Sequence, residues 1–444
     1  MSAVMHPAAI LDLIVRRRGA LAIDALIVIA SACYVALFLT VRGATNACFF
    51  VVVLLALLHL ARQRAAFADA WRIDGSRVLF SALASLFVAA VAAKLLRGEF
   101  NHLDLNVPAR FLLAGLLLLY LTAKRVRFVR LFAAVVPLAT ICALASALLN
   151  PRTMVGFEGR LVTSFVDPNT LGSYAVILSF MSLLTIDALG RSSPWRRAFA
   201  FSGVASGMVL AMHAGSRGGW LTILPLAALW LLVRRRRGVA PILWQGLVLF
   251  AIAISFAILV PNLSDRVFIV FREVRSWIDG SDSITSVGER LSFWMISLDL
   301  YSARPLTGYG WSAVTEQLAR PEFAMAVSPK VIHTFTYSGP HSDLLMMALS
   351  HGAFGIAAYT GLLYVPAAFF WRRRATATGE SRLACELGVC LVVGVFVCGL
   401  FNEMLSLKYL VSFYGLTVAG LAAQVLGEER AVGPSCPTPG GVRS

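Results

Sequence analysis

Long apolar runs alternate with short polar breaks along most of the chain, and the alternation is interrupted at length only between residues 261 and 342. The apolar runs fall near 19 to 41, 47 to 61, 78 to 96, 111 to 123, 128 to 149, 173 to 189, 198 to 215, 220 to 233, 242 to 260, 343 to 371, 384 to 404 and 409 to 426. Several are shorter than the ~20 residues that a straight span needs, so their ends must reach into the flanking polar residues. The pattern predicts an all-α polytopic membrane protein with about 12 transmembrane helices. Residues 1–260 then carry helices 1–9, residues 261–342 form a loop domain between helices 9 and 10, and residues 343–426 carry helices 10–12. The tail 427–444, with Pro434, Pro437, Pro439, Gly440 and Gly441, reads as disordered.

A structureless loop as long as 261–342 is unusual, and this one carries helical patterning of its own. Val267, Val270, Phe271, Val274 and Ile278 recur at helical spacing with Arg266, Arg272 and Arg275 elsewhere around the turn, the pattern of an amphipathic helix lying on a membrane surface. Ser286-Val287-Gly288-Glu289 matches a capping box, followed by Leu291, Trp294, Met295 and Leu298 on one face. Arg304-Pro305 and Gly308-Tyr309-Gly310-Trp311 end that helix, so the segment is expected to fold as a small helical cap.

Composition agrees: 59% of residues are hydrophobic and only 14% charged, far from the soluble norm of about 25% charged. The net charge of +16 would point to nucleic acid in a soluble chain, but here the arginines sit in short clusters between apolar runs, so no nucleic-acid groove is invoked. Every second loop is arginine-rich, with Arg62, Arg64, Arg72 and Arg77, then Lys124, Arg125, Arg127 and Arg130, then Arg191, Arg196 and Arg197, then Arg234 to Arg237, then Arg372, Arg373, Arg374 and Arg382. The positive-inside rule places these loops and both termini in the cytoplasm, and the alternate loops, 261–342 among them, on the other side. Arg16-Arg17-Arg18 precedes an apolar run long enough to span, which is expected to be a retained first helix and not a cleaved signal. The seven cysteines lie in apolar segments or the tail, which argues against a disulfide framework or a cysteine metal site.

Four polar clusters occupy helix ends on the non-cytoplasmic side: Arg160 with Phe165-Val166-Asp167-Pro168-Asn169, Gly215-Ser216-Arg217-Gly218-Gly219, Glu289-Arg290, and Pro340-His341-Ser342-Asp343. Pro340 suits the first helical position, which puts His341 in the first turn, where the helix dipole and neighbouring arginines favour a neutral ring able to accept a proton. From His341 to Arg372 an unbroken helix rises about 46 Å, enough to hold the ring at headgroup level. A histidine that only marks the membrane interface satisfies the same placement. Arg217, between glycines in a tight turn, offers a planar fork to a phosphate, and Arg290, near a helix start, invites a bound anion. Snorkelling to headgroups and a solvated helix face remain open for these two. Asp167-Pro168-Asn169 is also what a plain turn before a helix looks like, and His213, four residues before Arg217, is a second-tier candidate. Asp279-Gly280-Ser281-Asp282 lacks the glutamate and length of a calcium loop. No Walker loop, His-Glu-x-x-His zinc motif or Gly-x-Ser-x-Gly elbow is present.

In order and spacing these clusters resemble the O-antigen ligase family, related to O-antigen polymerases and bacterial protein O-oligosaccharyltransferases. The residues that carry the resemblance are Asp167-Pro168-Asn169, Ser216-Arg217-Gly218, Arg290 with Trp294, Pro305-Leu306-Thr307-Gly308-Tyr309-Gly310, and His341-Ser342 with Leu345, Gly352 and Gly355 downstream. The resemblance implies an O-antigen ligase in the inner membrane of a Gram-negative bacterium, joining a glycan carried on undecaprenyl pyrophosphate to lipid A-core at the periplasmic face. It implies His341 as the catalytic residue and Arg217 and Arg290 as holders of the donor pyrophosphate, with Arg160, Asn169, Asp167 and Tyr309 as further substrate-binding residues. It implies neither metal nor other cofactor. A polymerase, an oligosaccharyltransferase and a lipid-linked glycan transporter are the alternatives.

Overall fold

A computed structural model describes residues 26–100, 102, 104–150, 159–190, 193–234, 263–281, 283–318 and 327–432. Among these residues every regular element is a helix. In chain order they are α1 (Leu26–Ala36), α2 (Ala44–Arg62), α3 (Arg64–Arg72), α4 (Ser76–Leu96), α5 (Asn106–Lys124), α6 (Phe128–Leu148), α7 (Pro168–Gly190), α8 (Pro194–Ala214), α9 (Arg217–Val233), α10 (Leu263–Ile278), α11 (Ser286–Ala303), α12 (Trp311–Gln317), α13 (Pro329–Ser338), α14 (Asp343–Arg373), α15 (Gly379–Gly399) and α16 (Lys408–Val432). Eight of them, α2, α4, α5, α6, α7, α14, α15 and α16, are long and apolar enough to cross a membrane, which makes this a multi-pass membrane protein. Of the twelve spans expected, the segments matching α1 and α9 form shorter apolar helices, 198–215 forms α8, which is not among the eight, and 242–260 lies outside the described residues.

Helices α16 and α7 form the centre, with 94% and 89% of their apolar windows buried, while α2 keeps only 33% and faces outward. An aromatic cluster locks the turn after α1 to both: Phe38 stacks on Phe413 at 4.0 Å and meets Tyr174 edge-on at 4.8 Å. Such stacking adds to dispersion, which drives helix association where lipid supplies no hydrophobic force. The arginine-rich loops share one end of the bundle, where Arg130 pairs with Glu380, Arg373 with Asp74 at 3.1 Å, and Arg234 with Glu386 at 3.4 Å. The four polar clusters gather at the opposite end.

Two expectations need correction. The chain does not leave the helix at 427, because α16 continues to Val432; 433–444 lies outside the described residues. Nor does an unbroken helix follow His341, because α14 kinks at Gly352, which adopts φ 61°, ψ −146°. A glycine in a long apolar run gives no sequence signal for this, since glycine is common in membrane helices.

The kink explains the Pro305–Gly310 motif. A break in a helix frees backbone groups that lipid cannot satisfy. Here the motif satisfies them: Tyr309 N–H donates to Leu349 O at 2.8 Å, Gly310 N–H to Ser350 O at 3.0 Å, and Ala353 N–H to Pro305 O at 2.7 Å. Arg97 ties the junction further, donating from Nη1 to Thr307 O at 2.6 Å and Ser350 O at 3.2 Å. A side chain at position 352 would collide with the backbone of Leu306 and be forced into a conformation open essentially to glycine. Gly352→Ala is therefore expected to destabilise the protein by at least ~1–3 kcal/mol. A thermal unfolding midpoint in detergent equal to that of the unaltered protein would refute this reading of the kink.

The cap is helical as anticipated, with two differences. Helix α11 is capped by Thr285, whose Oγ1 accepts from Gly288 N–H at 3.1 Å, one residue before the predicted capping box. The short helices α12 and α13 were not foreseen. Phe293, Ile296, Leu300, Tyr309, Val314 and Phe335 build a small core of their own that rests on Leu349 of α14. On α10, Phe268, Phe271 and Ile278 stay about 70% exposed beside exposed Arg272 and Arg275, as a helix lying on a membrane surface requires.

Candidate active site

His341 does not begin α14. It precedes Ser342, the N-cap, and holds a left-handed backbone with φ 51°. Outside glycine and asparagine this conformation is uncommon and points to a constraint from its surroundings. The predicted role of the α14 dipole is thereby weakened. The ring lies 5.7 Å from that of Phe293, tilted by 32°, and its Nδ1 is enclosed without a hydrogen-bond partner. Burial first, and then the nearby charge of Arg290, bring its pKa down to about 4, against Asp167 and a hydrogen-bonding contact with Asn402. The neutral ring expected from the sequence is thus produced by desolvation and Arg290.

Arg217 opens α9, directly after Ser216, whose Oγ accepts from Gly219 N–H at 3.2 Å. Its Nη1 lies 3.5 Å from Glu273 of α10, and the same carboxylate accepts from Val287 N–H at 3.1 Å. Glu273 therefore joins Arg217 to the start of α11. Arg290 lies past the first turn of α11, a residue later than its predicted place, and folds back so that Nη1 donates to Ser286 O at 2.9 Å and Oγ at 2.8 Å. Its Nε is enclosed without a partner. Burial and the charge of Arg217 pull its pKa down, while Glu289 and Glu273 oppose this. Two guanidiniums held near one another with a single shared carboxylate leave a cationic patch beside the histidine ring.

Asp167 caps α7, its Oδ1 accepting from the N–H groups of Asn169 at 2.9 Å and Thr170 at 3.0 Å. Arg160 spans two helices, donating from Nε to Ala214 O at 2.7 Å and from Nη2 to Asn169 Oδ1 at 2.8 Å. It thereby fixes the end of α8, and with it the turn that carries Arg217. Tyr309 is 2% exposed in the core of the cap, beneath the Arg304 guanidinium at 4.8 Å. Its nearest link to the site is Phe293, which shares that core and faces the His341 ring. His213 contributes its backbone carbonyl, which accepts from Leu161 N–H at 3.1 Å.

Sequence reasoning missed the loop between α15 and α16. Asn402 donates to Thr170 Oγ1 at 3.2 Å and stands beside the His341 ring. Glu403 turns its carboxyl toward the backbone of 339–341, with Oε1 enclosed and without a partner. Gly339, at φ 70°, leaves the room, since any Cβ there would collide with Glu403 Oε1. Burial and the neighbouring Asp343 push the Glu403 carboxyl well up. Asp343, fully buried, accepts from Leu405 N–H at 2.9 Å and anchors the other end of the loop. The only sequence signal was a Phe-Asn-Glu interruption between two apolar runs. Among the described residues no group of three or more His, Cys, Asp or Glu side chains is arranged to hold a metal ion.

An uncharacterized protein of Haemophilus influenzae is 20% identical over 230 residues, which cover 50% of this chain and 56% of that protein. The chain thus spans little more than half the length of that relative. Residues 201–360, from within α8 through the cap to beyond the Gly352 kink, match the family model described as O-antigen ligase. That segment contains Arg217, Arg290, Tyr309 and His341, and over it the chain is similar to the O-antigen ligase family, which covers O-antigen ligases, O-antigen polymerases and O-oligosaccharyltransferases.

Proposed function

We propose that this protein is an inverting glycosyltransferase that ligates a glycan from undecaprenyl pyrophosphate to lipid A-core at the periplasmic face of the inner membrane. The observation that carries the reading is a desolvated, unprotonated histidine ring beside two partly buried guanidiniums, Arg217 and Arg290. In the reaction the acceptor hydroxyl oxygen attacks the anomeric carbon of the donor sugar as His341 takes the hydroxyl proton. The bond from that carbon to the pyrophosphate oxygen breaks, and the leaving group departs with the electron pair toward Arg217 and Arg290, whose fixed positive charge stabilises it without a metal. Arg160 and Asn169 brace the Arg217 turn, the Asp167 carboxylate acts on the charge of the histidine from the start of α7, and Tyr309 supports the cap. The donor's own pyrophosphate bond supplies the driving force, so no nucleotide is needed.

A transporter would place its ionisable residues at the middle of the bundle on broken helices; here they gather at one end, which favours an enzyme. The experiment supplies purified protein in EDTA with labelled lipid pyrophosphate-linked glycan and offers lipid A-core, a peptide or a second lipid-linked repeat. Label is expected on lipid A-core. Label on the second repeat alone would make the protein a polymerase, label on the peptide alone an oligosaccharyltransferase, and label on none would overturn the enzyme reading.

A further inference from the structure

Arg42, Asn46, Phe165, Asp167, Lys408 and Tyr409 line a cavity of about 670 Å³ at the His341 end of the bundle, where the loops preceding α2, α7 and α16 meet. Its size lies within the roughly 300–1,000 Å³ of small-ligand sites. Arg42 and Lys408 are exposed, and neither has an ion-pair partner among the described residues. Asn46 uses its carbonyl oxygen on Arg110 at 2.9 Å and Ser412 at 3.0 Å, which leaves its amide donors for a ligand. Phe165 and Tyr409 meet edge-on at 5.4 Å, forming an aromatic wall of the kind that the C–H face of a sugar ring covers. Hydroxyls come from Ser164 and Ser406.

The cavity is joined to the histidine through Asp167. That residue caps α7 at Thr170, Thr170 holds Asn402, and Asn402 stands against the His341 ring. Neither Arg217 nor Arg290 lines this cavity. In a direct displacement the nucleophile and the leaving group lie on opposite sides of the reacting carbon, so the acceptor is expected in a space that the guanidiniums receiving the leaving group do not line. We propose that this cavity binds the acceptor, a phosphorylated sugar headgroup of a glycolipid, with Arg42 and Lys408 on its phosphate and the Phe165–Tyr409 wall against a sugar ring. The proposal rests on the glycosyl-transfer reading above and adds the acceptor's charge and place.

The test uses full-length protein carrying Arg42→Gln and Lys408→Gln together, reconstituted in nanodiscs. Transfer is measured against lipid A-core and against the same acceptor after phosphatase treatment. The double variant is expected to raise KM for the phosphorylated acceptor by about tenfold or more, the worth of charge-assisted contacts, with donor KM unchanged. It should match the unaltered protein on the dephosphorylated acceptor. An unchanged acceptor KM, a rise in donor KM instead, or an equal loss on both acceptors would overturn the proposal. A defect that follows the anionic phospholipid content of the nanodisc, and not the acceptor's phosphate, would assign these cations to bulk headgroups and overturn it too. Equilibrium binding of lipid A-core, with no donor present, separates this inference from the transfer reading. Weakened binding by the double variant supports the cavity even where no transfer is seen, and equal binding refutes it.

Discussion

His341→Asn is expected to lower glycan transfer by about 10²–10⁴-fold, the span of a lost general base, while the protein folds as before. Asparagine is the instructive replacement because it tolerates the left-handed backbone that position 341 adopts, at φ 51°, and so removes the base without the strain that alanine would add. The pH dependence carries the same signature. The ring's pKa is lowered to about 4, so the base is free throughout the neutral range and is lost only as pH falls through that value. The acid limb of kcat/KM, which reports the free enzyme, is expected near pH 4 and to vanish in the variant. In kcat the limb should lie higher, because a bound pyrophosphate screens Arg290 and eases protonation of the ring. A variant that transfers at the native rate would reduce His341 to a structural residue.

Arg290→Lys and Arg217→Lys should each lower kcat/KM for the donor by about 10²-fold or more, the order seen when one fixed charge-stabilising donor is removed. Arg290 spends Nη1 on the start of its own helix and keeps an enclosed Nε without a partner. A lysine cannot brace the helix and hold a phosphate in a plane at once. Arg217 has the same constraint through Glu273. Donor titrations with each variant, after confirming membrane insertion, measure the loss. Native kinetics would leave these arginines as headgroup contacts.

Much of the architecture was written in the hydropathy pattern, because an apolar run long enough to cross lipid has few other uses. The boundaries were less legible: α5 begins at Asn106 and carries Arg110 into the bundle, where Asn46 and Ser412 satisfy it. Local composition does not reveal such long-range partners. Arg217, Arg290 and His341 stood out because a charge or an imidazole at a helix end in a lipid-embedded chain requires a reason. Asn402 and Glu403 stood in an ordinary polar break, and only the fold brings them against residues 339–341. The geometry of His341 was misjudged for a related reason. Pro340 is compatible with a helix start, but the Glu403 carboxyl against Gly339 and the Asp343 anchor to Leu405 begin the helix three residues later.

The configuration of the new glycosidic linkage separates direct displacement from a covalent route. With a donor of defined anomeric configuration and lipid A-core as acceptor, magnetic resonance of the new glycosidic bond should show inversion at the transferred carbon, in EDTA and at neutral pH. Retention of configuration would require a covalent glycosyl intermediate that His341 as a base does not provide, and would contradict the mechanism.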